Sequence, residues 1–408
     1  MQPISIGTPL GPGRSTCGYC GPQGKRSPAE TSVQRASLIA SQLSCAVYQK
    51  MIDRGWRRSG SYCYAPDLRR SCCPQYPIKL DALAFKASRS QRKLVNRWNR
   101  FVRHGEGSDA TPNQPTHKGS QATTFCLTSS IHNSERSSFP ANDEPRHDFQ
   151  VTLERSSYTD EKYNLYIAYQ TQIHHDDDNT AHSFRKFLVQ SPLIPEPIPY
   201  SSPPPQHLPT HYGSYHQMYR LDGELVAVGV LDILPGCVSS VYFMYDAKWQ
   251  KHSLGKLSAL REATLAREIH EAGLSSMDSL YMGFYIHSCC KMRYKGEYSP
   301  SFLADPEDFA WYPLKSCTEI LDKYRYGVFS HPEHSLEGQD DPGEVVEDDD
   351  AVELASGARS IYSIQGNTVS LIPATMSQGW GINYSRQAIV NCIRALGAEL
   401  SKEMIFRM

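Results

Sequence analysis

The sequence predicts an α/β (α+β) fold in which a small, basic, Cys-rich and metal-binding amino-terminal module precedes a larger core of strands and one long helix. Three observations carry this. Residues 1–104 hold 18 Lys and Arg against 4 Asp and Glu, whereas the remaining residues hold 24 against 39. Cys17-Gly-Tyr-Cys20 is followed at a distance by Cys72-Cys73. Between Tyr215 and Ile286, β-type apolar runs are separated by Asp222-Gly223 and Pro235-Gly236, dipeptides with the geometry of tight turns.

Taken in order, Val33, Ala36, Ile39, Ala40, Leu43, Val47 and Met51 recur at three- and four-residue spacing, which predicts an amphipathic helix ending at Gly55. Short strands are expected at Trp56–Tyr64 and Ile78–Leu80. Ser88 with Gln91 makes a capping-box pattern. In the helix it opens, Leu94, Trp98, Phe101 and Val102 lie opposite a basic ridge of Arg89, Arg92, Lys93, Arg100 and Arg103. Residues 105–147, polar and rich in Ser, Thr and Pro, read as a disordered linker before a second domain at 148–330. There, Thr159–His174 has helical spacing, and the prolines of Pro192–Pro209 favour extended backbone. Tyr215–Tyr219, Glu224–Leu234 and Val238–Tyr245 read as an antiparallel meander. Ser253 is the expected N-cap of a helix carrying Leu254, Leu257, Leu260, Leu265 and Ile269, and Leu280–Ile286 is the next strand. Residues 331–357 form an acidic segment expected to be disordered, and 358–408 a carboxy-terminal extension.

Composition sets bounds on function. The 408 residues suffice for two ordinary domains. The apolar share of 39% is below the ~45–50% of compact chains, so some segments are expected to stay unfolded. No run approaches the ~18 apolar residues of a membrane helix. Met1–Cys20, rich in Gly, Pro and Ser, does not resemble a signal peptide. The 12 cysteines then read as reduced thiols or metal ligands in a cytoplasmic protein, with the nucleus a second compartment. A basic module of this kind suits a polyanionic partner, or else acidic partners within the same chain.

Three constellations carry chemistry. A C-x2-C pair sets two thiolates on one turn, so Cys17, Cys20, Cys72 and Cys73 suit a tetrahedral site for zinc or an iron–sulfur centre. Adjacent cysteines usually diverge, leaving Cys45, Cys63 or a histidine as a replacement ligand, and ordinary reduced thiols as the blander reading. At Ser253-Leu-Gly255 a helix N-terminus follows a strand, where free N–H groups favour an anion, the blander reading being an ordinary strand-to-helix connection. Finally Lys291, Arg293 and Lys295 leave a strand beside Tyr281, Tyr285 and Tyr294, a set able to grip a carboxylate or sugar-phosphate, or simply to form a solvated basic loop.

The strand-and-helix core resembles the GNAT-like acyltransferase fold, without a Q/R-x-x-G-x-G/A coenzyme A loop. More specifically, Cys17-Gly-Tyr-Cys20, Arg54–Gly60, Cys72–Tyr76 and Ser88–Arg92, then Tyr219–Gly223, Leu225–Pro235, Ser239–Tyr242, Ser253–Lys256 and Tyr285–Lys295, resemble in order the signatures of the arginyl-tRNA–protein transferase family. Ala65 stands where that family's Tyr-Lys-Pro has lysine. The resemblance implies transfer of arginine from Arg-tRNA to proteins beginning with Asp, Glu or oxidised Cys, marking them for degradation, without ATP, coenzyme A or a membrane, by a monomer. On this reading Asp232 and His287 are the candidate bases, and Tyr242 and Tyr245 orient the ester or terminal adenosine. Arg220, Lys291, Arg293 and Lys295, with the Ser253–Gly255 helix start, bind substrate. Arg57, Arg58 and the ridge of Arg89, Arg92, Lys93, Arg100 and Arg103 hold tRNA. A coenzyme A-dependent N-acetyltransferase and a non-catalytic nucleic-acid-binding protein are the alternatives.

Overall fold

A computed structural model describes residues 3–22, 25–106, 125–338, 350–365 and 368–408. In chain order the elements are β1 (Ser5–Pro9), β2 (Gly13–Ser15), β3 (Ser32–Gln42), α1 (Cys45–Asp53), β4 (Arg57–Ser59), β5 (Tyr62–Pro66), β6 (Tyr76–Asp81), α2 (Arg89–His104), α3 (Leu127–His132), β7 (Phe149–Arg155), α4 (Asp160–Tyr169) and α5 (Ala181–Phe184). There follow β8 (Gly213–Leu221), β9 (Glu224–Ile233), β10 (Cys237–Tyr245), α6 (Leu254–Glu271), β11 (Ser279–Tyr285), α7 (Cys290–Arg293), β12 (Ser301–Ala304), β13 (Trp311–Pro313) and α8 (Leu314–Leu321). The last are α9 (Ala351–Leu354), β14 (Arg359–Gln365), β15 (Thr368–Pro373), α10 (Asn383–Leu396), α11 (Ala398–Lys402) and β16 (Met404–Phe406).

The strands make two mixed sheets. One runs β15-β14-β16-β1-β3-β5-β4, with β2 also on β3, and the other runs β13-β12-β6-β11-β10-β9-β8-β7. They do not divide at residue 104. β6, from the basic module, lies between β11 and β12, while β16 pairs in parallel with β1, so the carboxy-terminal segment completes the first sheet.

The helix expected from Val33 to Met51 is in fact a strand followed by a helix. Ala36, Leu38 and Ala40 alternate onto one buried face of β3, so the period of two governs that stretch. Only past Ser44, whose hydroxyl accepts from the Val47 N–H, does α1 begin. The capping box at Ser88 and Gln91 and the meander β8-β9-β10 form as expected. Ser253 does precede α6, but in a left-handed conformation and with no side-chain cap bond. The stretch expected as linker is folded in part: α3 buries Leu127 and Ile131 in the main core, while 107–124 lie outside the described residues. Of the acidic segment, 339–349 likewise lie outside them, whereas 331–338 and 350–357 are described and 351–354 are helical. The proline-rich stretch is irregular and buries Leu193, Ile198 and Leu208. No described helix is long and apolar enough to cross a membrane.

One irregularity positions the site. β10 and β11 run parallel through only Cys237–Ser279, Val238–Leu280 and Ser239–Tyr281. Directly beyond, β10 shifts register against β9 between Ser240 and Tyr242, and β11 against β6 between Tyr281 and Phe284. Each strand then follows its own outer partner, and a wedge opens between them. Gly283, at φ +77°, makes the β11 irregularity in a conformation that L side chains rarely adopt.

Candidate functional site

The carbonyls freed on β11 are taken by two cations. Arg57, on β4, donates to Gly283 O at 3.2 Å, and Lys295 Nζ donates to Phe284 O at 2.7 Å. Burial, with Arg57 adding repulsion, pushes the Lys295 ammonium down to about 7. These groups hold the strand's shape. Beneath the wedge, Glu262 of α6 is 2% exposed and 2.7 Å from Ser258 Oγ, with Ser240 a second partner. Burial outweighs those bonds and pushes its carboxyl up to about 7. Sequence reasoning missed Glu262; the available signal was a lone acid among Ala259, Leu260, Ala263 and Ala266.

Where β11 ends, Tyr285, His287 and Asp322 form a chain. Asp322 Oδ1 is 2.9 Å from His287 Nε2, and the Tyr285 hydroxyl is 2.9 Å from His287 Nδ1. With Nε2 protonated toward the carboxylate, Nδ1 is left to accept from the phenol. Tyr285 also lines a surface hollow with Arg293, Tyr294, Gly296 and Glu297. Lys291 and Arg293 are exposed beside it on α7.

The four predicted thiols come together. The sulfurs of Cys17, Cys20, Cys72 and Cys73 all lie within 4.8 Å of one another, with Cys20 to Cys72 at 3.6 Å. Tetrahedral zinc–sulfur bonds of ~2.3 Å imply sulfurs ~3.8 Å apart, so the donor set fits a metal ion. Both adjacent cysteines face the cluster, whereas Cys45 and Cys63 are buried elsewhere on α1 and β5. Around it, the Tyr19 N–H donates to Cys17 Sγ at 3.3 Å and the Thr31 hydroxyl to Cys72 Sγ at 3.1 Å, the outer bonds that orient thiolate ligands. Burial alone would raise the Cys17 thiol, but the Tyr19 and Cys20 N–H groups hold it below its usual value. The cluster packs on Ile286, Cys289 and Met292 and therefore abuts the end of β11.

Other predicted residues lie elsewhere. Asp232 is fully buried and grips Arg58 at 2.6 and 2.9 Å, with Ser214 Oγ at 2.6 Å. Burial opposes the Arg58 charge, yet Asp232 holds its guanidinium above the usual value. Both are thus enclosed in an ion pair away from solvent, as a general base and a tRNA-binding cation cannot be. Arg57, also buried, faces β11 instead of a polyanion. Arg220 is paired with Glu161 at 2.6 and 2.7 Å. Tyr242 packs on Tyr169 and Phe187, and Tyr245 on Tyr169. Gly255 lies under Phe243 at the start of α6. On α2 the ridge is exposed at Arg89, Arg92, Lys93, Arg100 and Arg103, and Arg97, which the sequence reading left out, joins it. Lys93, Arg97 and Arg100 line one shallow groove.

Comparison with known proteins places these features. Residues 15–93 match the model described as "Arginine-tRNA-protein transferase, N terminus", and 161–305 that described as "Arginine-tRNA-protein transferase, C terminus". Arginyl-tRNA–protein transferase 1 of Drosophila melanogaster is 32% identical, over 79% of this chain and 85% of the relative. That of Arabidopsis thaliana is 28% identical, over 78% and 74%. An aspartate/glutamate leucyltransferase of Stutzerimonas stutzeri is 26% identical, over 62% and 78%. The first match contains the four cysteines, and the second contains the wedge and the end of β11. Two ordered halves of one catalyst define the class as an aminoacyltransferase. The chain belongs to the arginyl-tRNA–protein transferase family.

Proposed function

We propose that this protein transfers arginine from Arg-tRNA to the α-amine of proteins beginning with Asp, Glu or oxidised Cys, marking them for degradation. The observation that carries the reading is the packing of the amino-terminal thiol cluster against the Ile286–Met292 segment, which joins the two family-matched halves at the hollow bearing Tyr285 and Arg293.

The aminoacyl ester is already activated. The amine nitrogen attacks its carbonyl carbon, a C–N bond forms, and the C–O bond to the tRNA ribose breaks, its oxygen taking up the proton the amine gives up. The protein must align the two and stabilise the oxyanion, which needs no ATP. An α-amine near ~7.7–8.0 needs only a modest base. The Asp322–His287–Tyr285 chain is our assignment for that proton path. Lys291 and Arg293 take the acidic side chain or a cysteine sulfinate or sulfonate. The existence of relatives named for aspartate and glutamate supports an acidic acceptor. The exposed ridge of α2 binds the tRNA backbone.

The splayed β10–β11 pair beside α6 supports a GNAT-like core, used without coenzyme A. The four thiols would hold zinc as a static clip, or an iron–sulfur centre that adds redox sensitivity. We assign the protein to the cytoplasm, where charged tRNA and reduced thiols coexist, with the nucleus second, and take the active unit to be a monomer. Offering an Asp-initiated peptide labelled Arg-tRNA or labelled acetyl-CoA tests the donor: label arrives from the tRNA alone if the reading holds, and from acetyl-CoA if it is wrong.

A further inference from the structure

Away from the thiols, three segments distant in sequence converge beside α6. His132 ends α3, His207 lies in the proline-rich stretch, and Glu268 occupies the last turn of α6. Their ligand atoms all lie within 4.8 Å of one another. Glu268 Oε1 is 2.8 Å from His132 Nε2 and 3.4 Å from His207 Nε2. The other ring nitrogen of His132, Nδ1, is 2.8 Å from Glu135 Oε1. Glu135 in turn pairs with the buried Arg261.

Proton bookkeeping makes this arrangement informative. A neutral imidazole has one N–H. If Nδ1 of His132 donates to Glu135, the Nε2 lone pair faces a carboxylate oxygen at hydrogen-bond distance, and the contact is repulsive unless a cation lies between. A proton can fill that place, with a neutral His207 donating its Nε2–H to the same oxygen, so it is the convergence of three ligand atoms from distant segments that points to a metal. Protonating both rings would set two cations with centroids only 5.7 Å apart. A divalent metal uses all three ligands. Bonds of ~2.0–2.2 Å to nitrogen and oxygen put tetrahedral neighbours ~3.3–3.6 Å apart; the 3.4 Å His207–Glu268 separation matches this, and the 2.8 Å His132–Glu268 contact would open on metal binding. A carboxylate on the far nitrogen of a histidine is also the partner that metal-bound histidines have.

We propose that His132, His207 and Glu268 hold a divalent metal of the zinc class, with Glu135 orienting His132. Two nitrogens and one carboxylate suit zinc, for which a water is the usual fourth ligand. Such a site ties α3 and the proline-rich stretch to α6. It is separate from the thiol cluster and does not depend on the transferase reading.

The test is metal stoichiometry on the full chain, by equilibrium dialysis against zinc, with cobalt as the spectroscopic probe. Cobalt on the thiols gives a sulfur-to-metal charge-transfer band, whereas cobalt on two imidazoles and a carboxylate gives only ligand-field bands. Wild type is expected to bind one equivalent more than His207→Gln or His132→Gln, with the sulfur band unchanged in both variants. Glu135→Gln is expected to weaken that extra equivalent about 10–100-fold. His207 is half exposed, so its variant keeps the fold, which circular dichroism verifies. Equal stoichiometry and affinity in wild type and His207→Gln would overturn the proposal and leave a protonated histidine between two carboxylates.

Discussion

Arg58 on β4 and Asp232 on β9 make a two-point ion pair with side chains 3% and 0% exposed, joining the two sheets. Breaking such a pair by removing one partner is costlier than losing an exposed one, because a buried charge is left uncompensated. Asp232→Asn is expected to lower unfolding stability by about 3–5 kcal/mol, measured by urea titration. A variant with full stability but no activity would instead restore Asp232 to a catalytic role.

Glu262 makes stability depend on pH in a defined window. Its folded pKa, about 7, lies above the ordinary 4.5. Below 4.5 both states are protonated, and the group costs nothing. As pH rises from 4.5 to 7 the unfolded chain ionises while the folded chain stays protonated, so stability falls and the full penalty, on the order of a few kcal/mol, applies above 7. Glu262→Gln is expected to flatten this fall, read as the denaturation midpoint at pH 5 and pH 8. An unchanged slope would show that Glu262 is not the group responsible.

The elements that local pattern alone controls were legible in the sequence. The turns at Asp222-Gly223 and Pro235-Gly236, the capping box at Ser88 and the alternation of apolar and basic positions on α2 are short-range signals, and they formed. The thiol cluster was legible because its residue type admits few other uses. What failed depended on partners far away in sequence. β3 reads as a helix until β1 and β5 are known to flank it. Asp232 reads as a free carboxylate until Arg58 is known to lie opposite. Arg57 and Lys295 read as ligand-binding cations, whereas they cap strand carbonyls exposed by the β11 irregularity.

The thiol cluster is expected to bind one metal ion that stabilises residues 15–93. Cys20→Ser is expected to lose that metal and to lower the melting temperature, while the distant Cys392→Ser, on α10, keeps it. Anaerobic purification with metal analysis reads the first effect and calorimetry the second. Full metal content in all four single Ser variants would return these cysteines to ordinary reduced thiols.

The α2 ridge predicts a salt-dependent affinity for tRNA. Each phosphate contact removed is expected to lower the slope of log affinity against log salt by roughly 0.7–0.9. Charge reversal at Arg92, Arg100 and Arg103 is therefore expected to weaken binding across tRNA sequences and flatten that slope, measured by filter binding over a salt series. An unaltered affinity and slope would place the tRNA on another face.

The central claim is arginyl transfer itself, and its most direct measurement follows labelled arginine from purified Arg-tRNA onto peptides beginning with Asp, Glu or Gly, with and without ATP. The account predicts incorporation at the α-amine of the Asp and Glu peptides, little on the Gly peptide, and no response to ATP once the tRNA is charged. Equal labelling of the Gly peptide, or labelling from free arginine without tRNA, would contradict it.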